Sequence, residues 1–138
     1  MRKSLQMQNI ISKLARRRGL DLADIETHFT AKSPGFMDLV VEVIAPHQVS
    51  VAHYYEQNGD LCQDPEIVFF VSPVDGSWYA IEITTPGVML RGRIFGGYES
   101  LVEFDDSGNL KNYKLRAQRD AAIFANKWAK NIRMQGFE

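Results

Sequence analysis

The sequence has 138 residues, enough for one domain, and its 45% apolar and 24% charged residues exclude a disordered chain. No apolar run approaches the ~18 residues that span a bilayer, and the single cysteine, Cys62, excludes an internal disulfide, so we expect a cytoplasmic protein. The net charge of −1 conceals a division: residues 1–18 and 111–138 hold 13 basic and 2 acidic residues, whereas residues 19–110 hold 3 basic and 15 acidic residues.

Helical periodicity is present at both ends of the sequence. Apolar residues recur every three or four positions over residues 5–17, which predicts an amphipathic helix with Ser4 as its N-cap and Gly19 after its end. The same spacing predicts a second amphipathic helix over residues 115–134. Basic residues towards the end of the first helix suit the negative end of the helix dipole.

Between the helices, alternating apolar residues and turn chemistry predict a series of strands. The strongest turn signal is Asn58-Gly59-Asp60. We also expect one strand to end at Pro86 and the Gly96-Gly97 pair to separate two further strands. Because no helix separates these strands, parallel pairing lacks its crossovers, and we predict one α+β domain with a single antiparallel sheet of about five to seven strands. Both helices should share one face of it. The candidate segments for these strands are 28–32, 36–44, 47–57, 66–72, 78–84, 88–95, 98–104 and 110–114.

A histidine and three carboxylates lie close together in sequence around the central turn. A hairpin would bring His53 near the strand that begins at Glu66, with Asp60 and Asp64 between them. Such a group suits the general acid–base pair or the hard-cation site of a metal-dependent hydrolase. The alternative is a tight turn followed by a structural strand, with His53 as a core histidine held by one hydrogen bond. We therefore assign no metal ligand and no cofactor.

One strand has part of a nuclease pattern. Many metal-dependent nucleases place an acidic residue and a Glu-x-Lys motif on adjacent strands, whereas Thr84 here replaces the lysine that would follow Glu82. Threonine cannot supply the charge that orients water and phosphate. We therefore interpret Glu82 as a solvent-facing residue of its strand.

The two helices carry clusters of cations that are candidates for binding. Arg16 and Arg17 lie near the end of the first helix, and Lys127 and Lys130 lie in the second. These side chains could be neutralised within the chain by the acidic sheet, bind an acidic protein partner, or bind the phosphates of a nucleic acid. The 15 acidic residues of the middle segment would repel DNA from most of the surface, so a protein partner ranks above a nucleic acid.

Four segments resemble a family of small bacterial and phage proteins that often occur on mobile elements, the domain of unknown function 6908. The segments are 36–42, 53–60, 64–66 and 124–137. The resemblance implies a stand-alone cytoplasmic domain of a bacterium or phage. It does not point to any particular activity. It also directs attention to the second segment, where we take Tyr55, Gln57 and Asn58 as candidate binding residues.

These observations together favour a non-enzymatic accessory protein that binds a protein partner through its charged surface. A hydrolase that uses the hairpin from His53 to Glu66 and a nucleic-acid-binding protein that uses the basic helices are the alternatives. We expect no membrane partner, and the sequence leaves the oligomeric state open.

Overall fold

The computed structural model describes the backbone of residues 1–57, 59–90 and 92–137, and the side chains of residues 1–54, 59, 64–86, 92 and 96–137. Over these described residues, eight strands lie between two helices in chain order, as the α+β prediction requires. The elements are α1 (Leu5–Arg17), β1 (His28–Ala31), β2 (Leu39–Ala45), β3 (Gln48–Gln57), β4 (Asp60–Val71), β5 (Trp78–Leu90), β6 (Arg93–Ser100), β7 (Val102–Phe104), β8 (Leu110–Tyr113) and α2 (Leu115–Met134).

Strands β1 to β6 form one sheet in which every strand pairs antiparallel with the next one along the chain. Strands β7 and β8 form a separate hairpin. Short turns connect neighbouring strands, and one of them contains Gly59 with a φ of 84°, a conformation that glycine adopts at no steric cost. The predicted antiparallel meander is confirmed.

Two central strands are longer than the sequence predicts, because proline does not end them. β4 begins at Asp60 and continues through the Asp64–Pro65 peptide bond, which is cis, and β5 continues through Pro86 to Leu90. The pairing register shifts beside each proline. A β-bulge tolerates a residue that cannot donate to the ladder, so the strands resume after it.

The Gly96-Gly97 pair lies inside β6, so the prediction that it separates two strands is wrong. The turn before β6 contains Gly92, which has a φ of 76°. A Cβ atom on Gly96 would lie 2.6 Å from the carbonyl oxygen of Pro86 on the neighbouring strand. Glycine is therefore required here by the close approach of two backbones.

Helices α1 and α2 have the predicted bounds and pack side by side. The N–H of Arg2 donates to Oε1 of Gln118 at 2.8 Å, and the N–H of Gln6 donates to Oδ1 of Asn126 at 3.2 Å. These contacts advance together along both segments, so the two helices run parallel.

Ser4 has a different role from the predicted side-chain N-cap. Its hydroxyl donates to the carbonyl oxygen of Ala122 in α2 at 3.4 Å, and its N–H donates to the carbonyl oxygen of Trp78 in β5 at 2.9 Å. No side-chain hydrogen bond caps α1. Fully buried, Ser4 instead joins the start of α1 to both α2 and the sheet.

The hydrophobic core lies between the helix pair and one face of the sheet. Alternate residues of each strand point into it, and cross-strand pairing aligns them in rows such as Phe29, Val41, Val51, Ile67 and Ile83. The helices contribute apolar side chains from their predicted stripes, including Met7, Ile11, Leu14, Ala125 and Ile132. In the described part of the chain, no helix packs on the opposite face, which we call the open face. The β7–β8 hairpin covers part of it, where the ring centroids of Phe70 and Phe104 lie 6.3 Å apart.

Candidate functional site

His53 is a core residue rather than an exposed acid–base group. Its ring packs among the rings of Trp128 and Phe137, each with its centroid 5.5 Å away, and only 7% of the residue is exposed. Nδ1 lies 3.2 Å from the carbonyl oxygen of Asp38, and since a carbonyl oxygen can only accept, Nδ1 carries a hydrogen in this contact. The arrangement matches the alternative reading of a histidine held by one hydrogen bond.

The structure does not bring the predicted hydrolase residues together. Glu66 pairs with Ala52 and therefore shares the open face, whereas His53 is the next residue in β3 and points into the core. Asp64 is half-buried beside the proline in β4, and Asp60 is described only as a strand residue paired with Gln57. A hydrolytic role for this hairpin stays a prediction, because the described side chains of His53, Asp64 and Glu66 do not converge on one site.

The other candidate binding residues of this hairpin are placed only in part. Tyr55 and Gln57 belong to β3, where the structure describes their backbone, and Asn58 lies outside the described residues. Among the side chains that the structure does describe, no group of three or more histidine, cysteine, aspartate or glutamate residues converges to hold a metal ion.

Three of the segments that carry the family resemblance meet in an aromatic cluster around His53. The ring centroid of Phe36 lies 6.3 Å from that of Phe137, and the centroid of Phe124 lies 6.4 Å from that of Trp128. The indole nitrogen of Trp128 is buried and has no hydrogen-bond partner among the described residues. The cluster holds the end of α2 against the sheet, since edge-to-face and tilted ring pairs add to the energy of burial.

The predicted cations of the helices point to solvent on the side away from the sheet. Arg16, Arg17, Lys127 and Lys130 are all exposed, as are Lys13 and Arg133. We call these six side chains the basic helix surface. Within the described ranges, none of the six takes part in an ion pair.

The parallel orientation of the helices concentrates this charge at one end of the molecule. Both helix C-termini carry the negative end of a dipole, and basic residues occupy the last turn of each helix. Lys13 and Arg16 of α1 line a groove of about 460 Å³ together with Arg133 of α2. The amide side chains of Gln8 and Asn9 also line it, so the groove offers both positive charge and hydrogen-bond donors.

Three carboxylates occupy the open face on the opposite side of the sheet. Glu42, Glu66 and Glu82 project from β2, β4 and β5, and we call them the acidic sheet face. The hydroxyl of Tyr54 donates to Oε2 of Glu66 at 3.4 Å, and the hydroxyl of Tyr98 donates to Oε1 of Glu82 at 2.5 Å. Glu82 lies on the side away from the core, in agreement with its interpretation as a solvent-facing residue.

Both tyrosines titrate above their ordinary range. Burial, and then the negative charge of Glu66 and the hydrogen bond to it, raise the pKa of Tyr54, to which Glu42 also contributes. The hydrogen bond to Glu82 raises the pKa of Tyr98, followed by burial and the charge of the same carboxylate. Negative charge on this face therefore contributes to the raised pKa of both tyrosines, beside burial and hydrogen bonding.

Internal neutralisation is limited in the described part of the chain. Two ion pairs join a terminal segment to the acidic middle segment, Lys3 with Asp75 at 3.5 Å and Lys114 with Glu99 at 3.4 Å. Neither pair includes the basic helix surface or the acidic sheet face. The two surfaces therefore retain opposite and uncompensated charge.

The comparison with known families decides the membership of the chain. The model of a domain of unknown function, DUF6908, matches residues 7–138. The chain belongs to the DUF6908 family. No match emerged among curated proteins or among solved structures. In the described part of this DUF6908 domain, no helix is long and apolar enough to cross a membrane.

Several residues of the DUF6908 domain gain importance only from the structure. Lys13 and Arg133 complete the groove, and their signal in the sequence is their position opposite the apolar stripes. Gln118 is 1% exposed and bonds to the backbone of Arg2 and of Ala80. The sequence signal for this role is the position of a glutamine among the apolar residues of α2 that face the core, because a buried amide needs hydrogen-bond partners.

Proposed function

We propose that this DUF6908 domain is a non-enzymatic binding protein that captures an acidic protein partner through the basic helix surface. The proposal includes the setting that the resemblance implied, an accessory role for a bacterial mobile element or phage. A cytoplasmic location belongs to it as well, because a chain with the single cysteine Cys62 needs no oxidising compartment.

The observation that carries the proposal is the concentration of unpaired cations around one groove. Lys13, Arg16 and Arg133 line it, and within the described residues none of them has an acidic partner. Holding like charges together costs free energy, which the helix C-termini only partly offset. An acidic ligand removes that repulsion and gains charge-assisted hydrogen bonds.

Apolar side chains among the cations favour a protein over a nucleic acid. Ile123 and Met134 are 36% and 84% exposed, and helical spacing places them on the same outer side of α2 as Lys127 and Lys130. An acidic amphipathic helix covers apolar and charged positions together when it lies in a groove. A phosphate backbone has no apolar groups to cover these side chains.

Nucleic-acid binding remains the second candidate, and one observation favours it. Glu42, Glu66 and Glu82 lie on the far side of the sheet from the basic helix surface. These three carboxylates therefore do not lie between a phosphate backbone and the helix cations. The sequence alone predicts that the acidic middle segment repels DNA from most of the surface. Such binding would weaken steeply as salt is raised.

The test compares two probes on the intact chain by fluorescence anisotropy at low and moderate salt. One probe is a helical peptide with glutamates on one side and leucines on the other, and the second is a short DNA duplex. We expect the peptide to bind, and the double variant Lys130→Glu with Arg133→Glu to bind it about tenfold more weakly, a loss of about 1.4 kcal/mol.

The matched control makes the same change in net charge away from the groove, with Lys32→Glu and Lys111→Glu. It should retain the wild-type affinity for the peptide. Equal losses in the two double variants would show that net charge alone attracts the peptide and would overturn the proposal. Binding of the duplex without binding of the peptide would replace it with the second candidate.

A further inference from the structure

The acidic sheet face has no counter-charge in its own rows of paired residues. One row across all six strands contains His28, Glu42, Ser50, Val68, Glu82 and Ser100, and the neighbouring row contains Thr30, Val40, Ala52, Glu66, Thr84 and Tyr98. Neither row contains a lysine or an arginine. None of the described ion pairs involves the three glutamates.

Two tyrosines keep the carboxylates of this face in defined positions. Tyr54 and Tyr98 donate to Glu66 and Glu82, so these glutamates have less side-chain freedom to lose when a cation arrives. Tyr98 is also 64% exposed, and its ring can stack under an incoming guanidinium group. The face is therefore arranged to receive lysine and arginine side chains.

The chain itself carries a surface of matching charge and size. Six strands at a spacing of about 4.8 Å make a face about 24 Å wide, and seven residues of strand extend about 23 Å. Two helices about 10 Å apart, one of them 20 residues long, present a surface of about 20 Å by 30 Å. Because the β7–β8 hairpin covers part of the sheet face, contact between the two would cover less than about 500 Å² on each copy, the size of a weak and transient interface.

We propose that the acidic sheet face is the docking site for the basic helix surface of a second copy of this chain. Three carboxylates would meet six cations that have no other ion-pair partner in the described ranges. Because these charges are at least partly exposed, the attraction gives fast and salt-sensitive association rather than a permanent complex.

The placement of the two surfaces determines the form of the assembly. They lie on opposite sides of one sheet, so each docking event leaves one free surface of each kind at the two ends. Such head-to-tail contact is heterologous, and it adds further copies instead of stopping at a dimer. An acidic partner on the basic helix surface would compete with this self-association.

Sedimentation velocity across concentration tests the proposal at about 20 mM and about 300 mM salt, since screening lengths differ several-fold between them. At low salt, we expect the average mass to rise past the dimer as concentration increases. At the higher salt, the chain should sediment as a monomer.

Reversing charges on one surface at a time provides the decisive test. The variant with Glu66→Lys and Glu82→Lys and the variant with Lys130→Glu and Arg133→Glu should each stay monomeric alone. An equimolar mixture should associate again and stop at a dimer, because the unaltered helix surface of the first variant can meet the unaltered sheet face of the second. Glu42→Lys, which changes an exposed residue without a described hydrogen bond, is the milder substitute where the first variant fails to fold.

A wild-type chain that stays monomeric at low salt overturns the proposal, as does a mixture that stays monomeric while the wild type associates. A dimer that ignores the substitutions also overturns it, because it would be formed by another surface. The outcome is separable from that of the proposed function. Changes at Glu66 and Glu82 should abolish self-association and leave the affinity for the acidic peptide intact.

Discussion

At the scale of single residues, the tyrosine–glutamate pairs connect adjacent strands of the open face. Tyr98 of β6 reaches Glu82 of β5, and Tyr54 of β3 reaches Glu66 of β4. Each pair joins side chains from cross-strand neighbours, which is the contact that stabilises a sheet surface. Each phenol also reports the negative charge beside it through its pKa.

Removal of one carboxylate should change one of these pKa values and spare the other. Glu66→Gln takes away the charge and the anionic acceptor beside Tyr54, so we expect the pKa of Tyr54 to fall towards its ordinary value of 10.0. Glu82→Gln is the matched control, and it should lower the pKa of Tyr98 alone. Carbon-13 NMR of the tyrosine rings during a pH titration measures both.

The sign of the same shift predicts the alkaline behaviour of the fold. The folded chain holds the Tyr54 proton more tightly than the unfolded chain, so this group stabilises the fold fully below pH 10 and less as pH rises through the folded pKa. We expect Tyr54→Phe to flatten the loss of stability above pH 10 in urea unfolding. An unchanged pH profile in the variant would show that Tyr54 is not the group responsible.

Gly96 and Gly97 form a natural pair for comparing steric cost. Both have φ near +85°, yet a Cβ on Gly96 would lie 2.6 Å from the carbonyl oxygen of Pro86, whereas a Cβ on Gly97 would meet none of the described atoms within 4 Å. We expect Gly96→Ala to cost about 2–3 kcal/mol and Gly97→Ala about 1 kcal/mol. Equal costs in urea unfolding would refute the close approach of β5 and β6.

At the scale of elements, the sequence predicted what depends on local periodicity. The bounds of α1 and α2 follow from apolar residues every three or four positions. The lengths of β4 and β5 did not follow, because a proline at a bulge has the same local signal as a proline at a strand end. The grouping of Glu42, Glu66 and Glu82 could not be predicted, since it depends on the register of three successive pairings.

Gln118 of α2 bonds to β5 and to the residues that precede α1, so its removal should destabilise all three parts of the chain together. Its Nε2 donates to the carbonyl oxygens of Arg2 at 3.0 Å and Ala80 at 3.3 Å, and its Oε1 accepts from the N–H of Arg2. We expect Gln118→Ala to lower the free energy of unfolding by about 2–3 kcal/mol, because buried polar groups lose their partners and a cavity forms.

Asn126 supplies the control for this prediction. It lies two turns further along α2, is half-buried, and accepts one hydrogen bond from the backbone of Gln6. Asn126→Ala should cost about 1 kcal/mol or less. Similar losses from the two substitutions in urea unfolding would contradict the bridging role of Gln118.

At the scale of the whole molecule, one sheet separates two surfaces of opposite charge. A helix layer about 10 Å thick and the sheet itself lie between the two surfaces, so their charges are too far apart to form ion pairs within one molecule. Both proposals depend on this separation. An acidic partner and a second copy would both use the basic helix surface, and only the copy would use the acidic sheet face.

The most direct measurement of this separation is the local electrostatic potential, read from methyl NMR signals with charged nitroxide cosolutes at a concentration where the chain is monomeric. Ile123 and Met134 report the helix side, and the half-buried Val40 reports the open face. We expect an anionic nitroxide to broaden the first two signals more than a cationic one does, and the reverse for Val40. The same sign of potential on both sides would contradict the account.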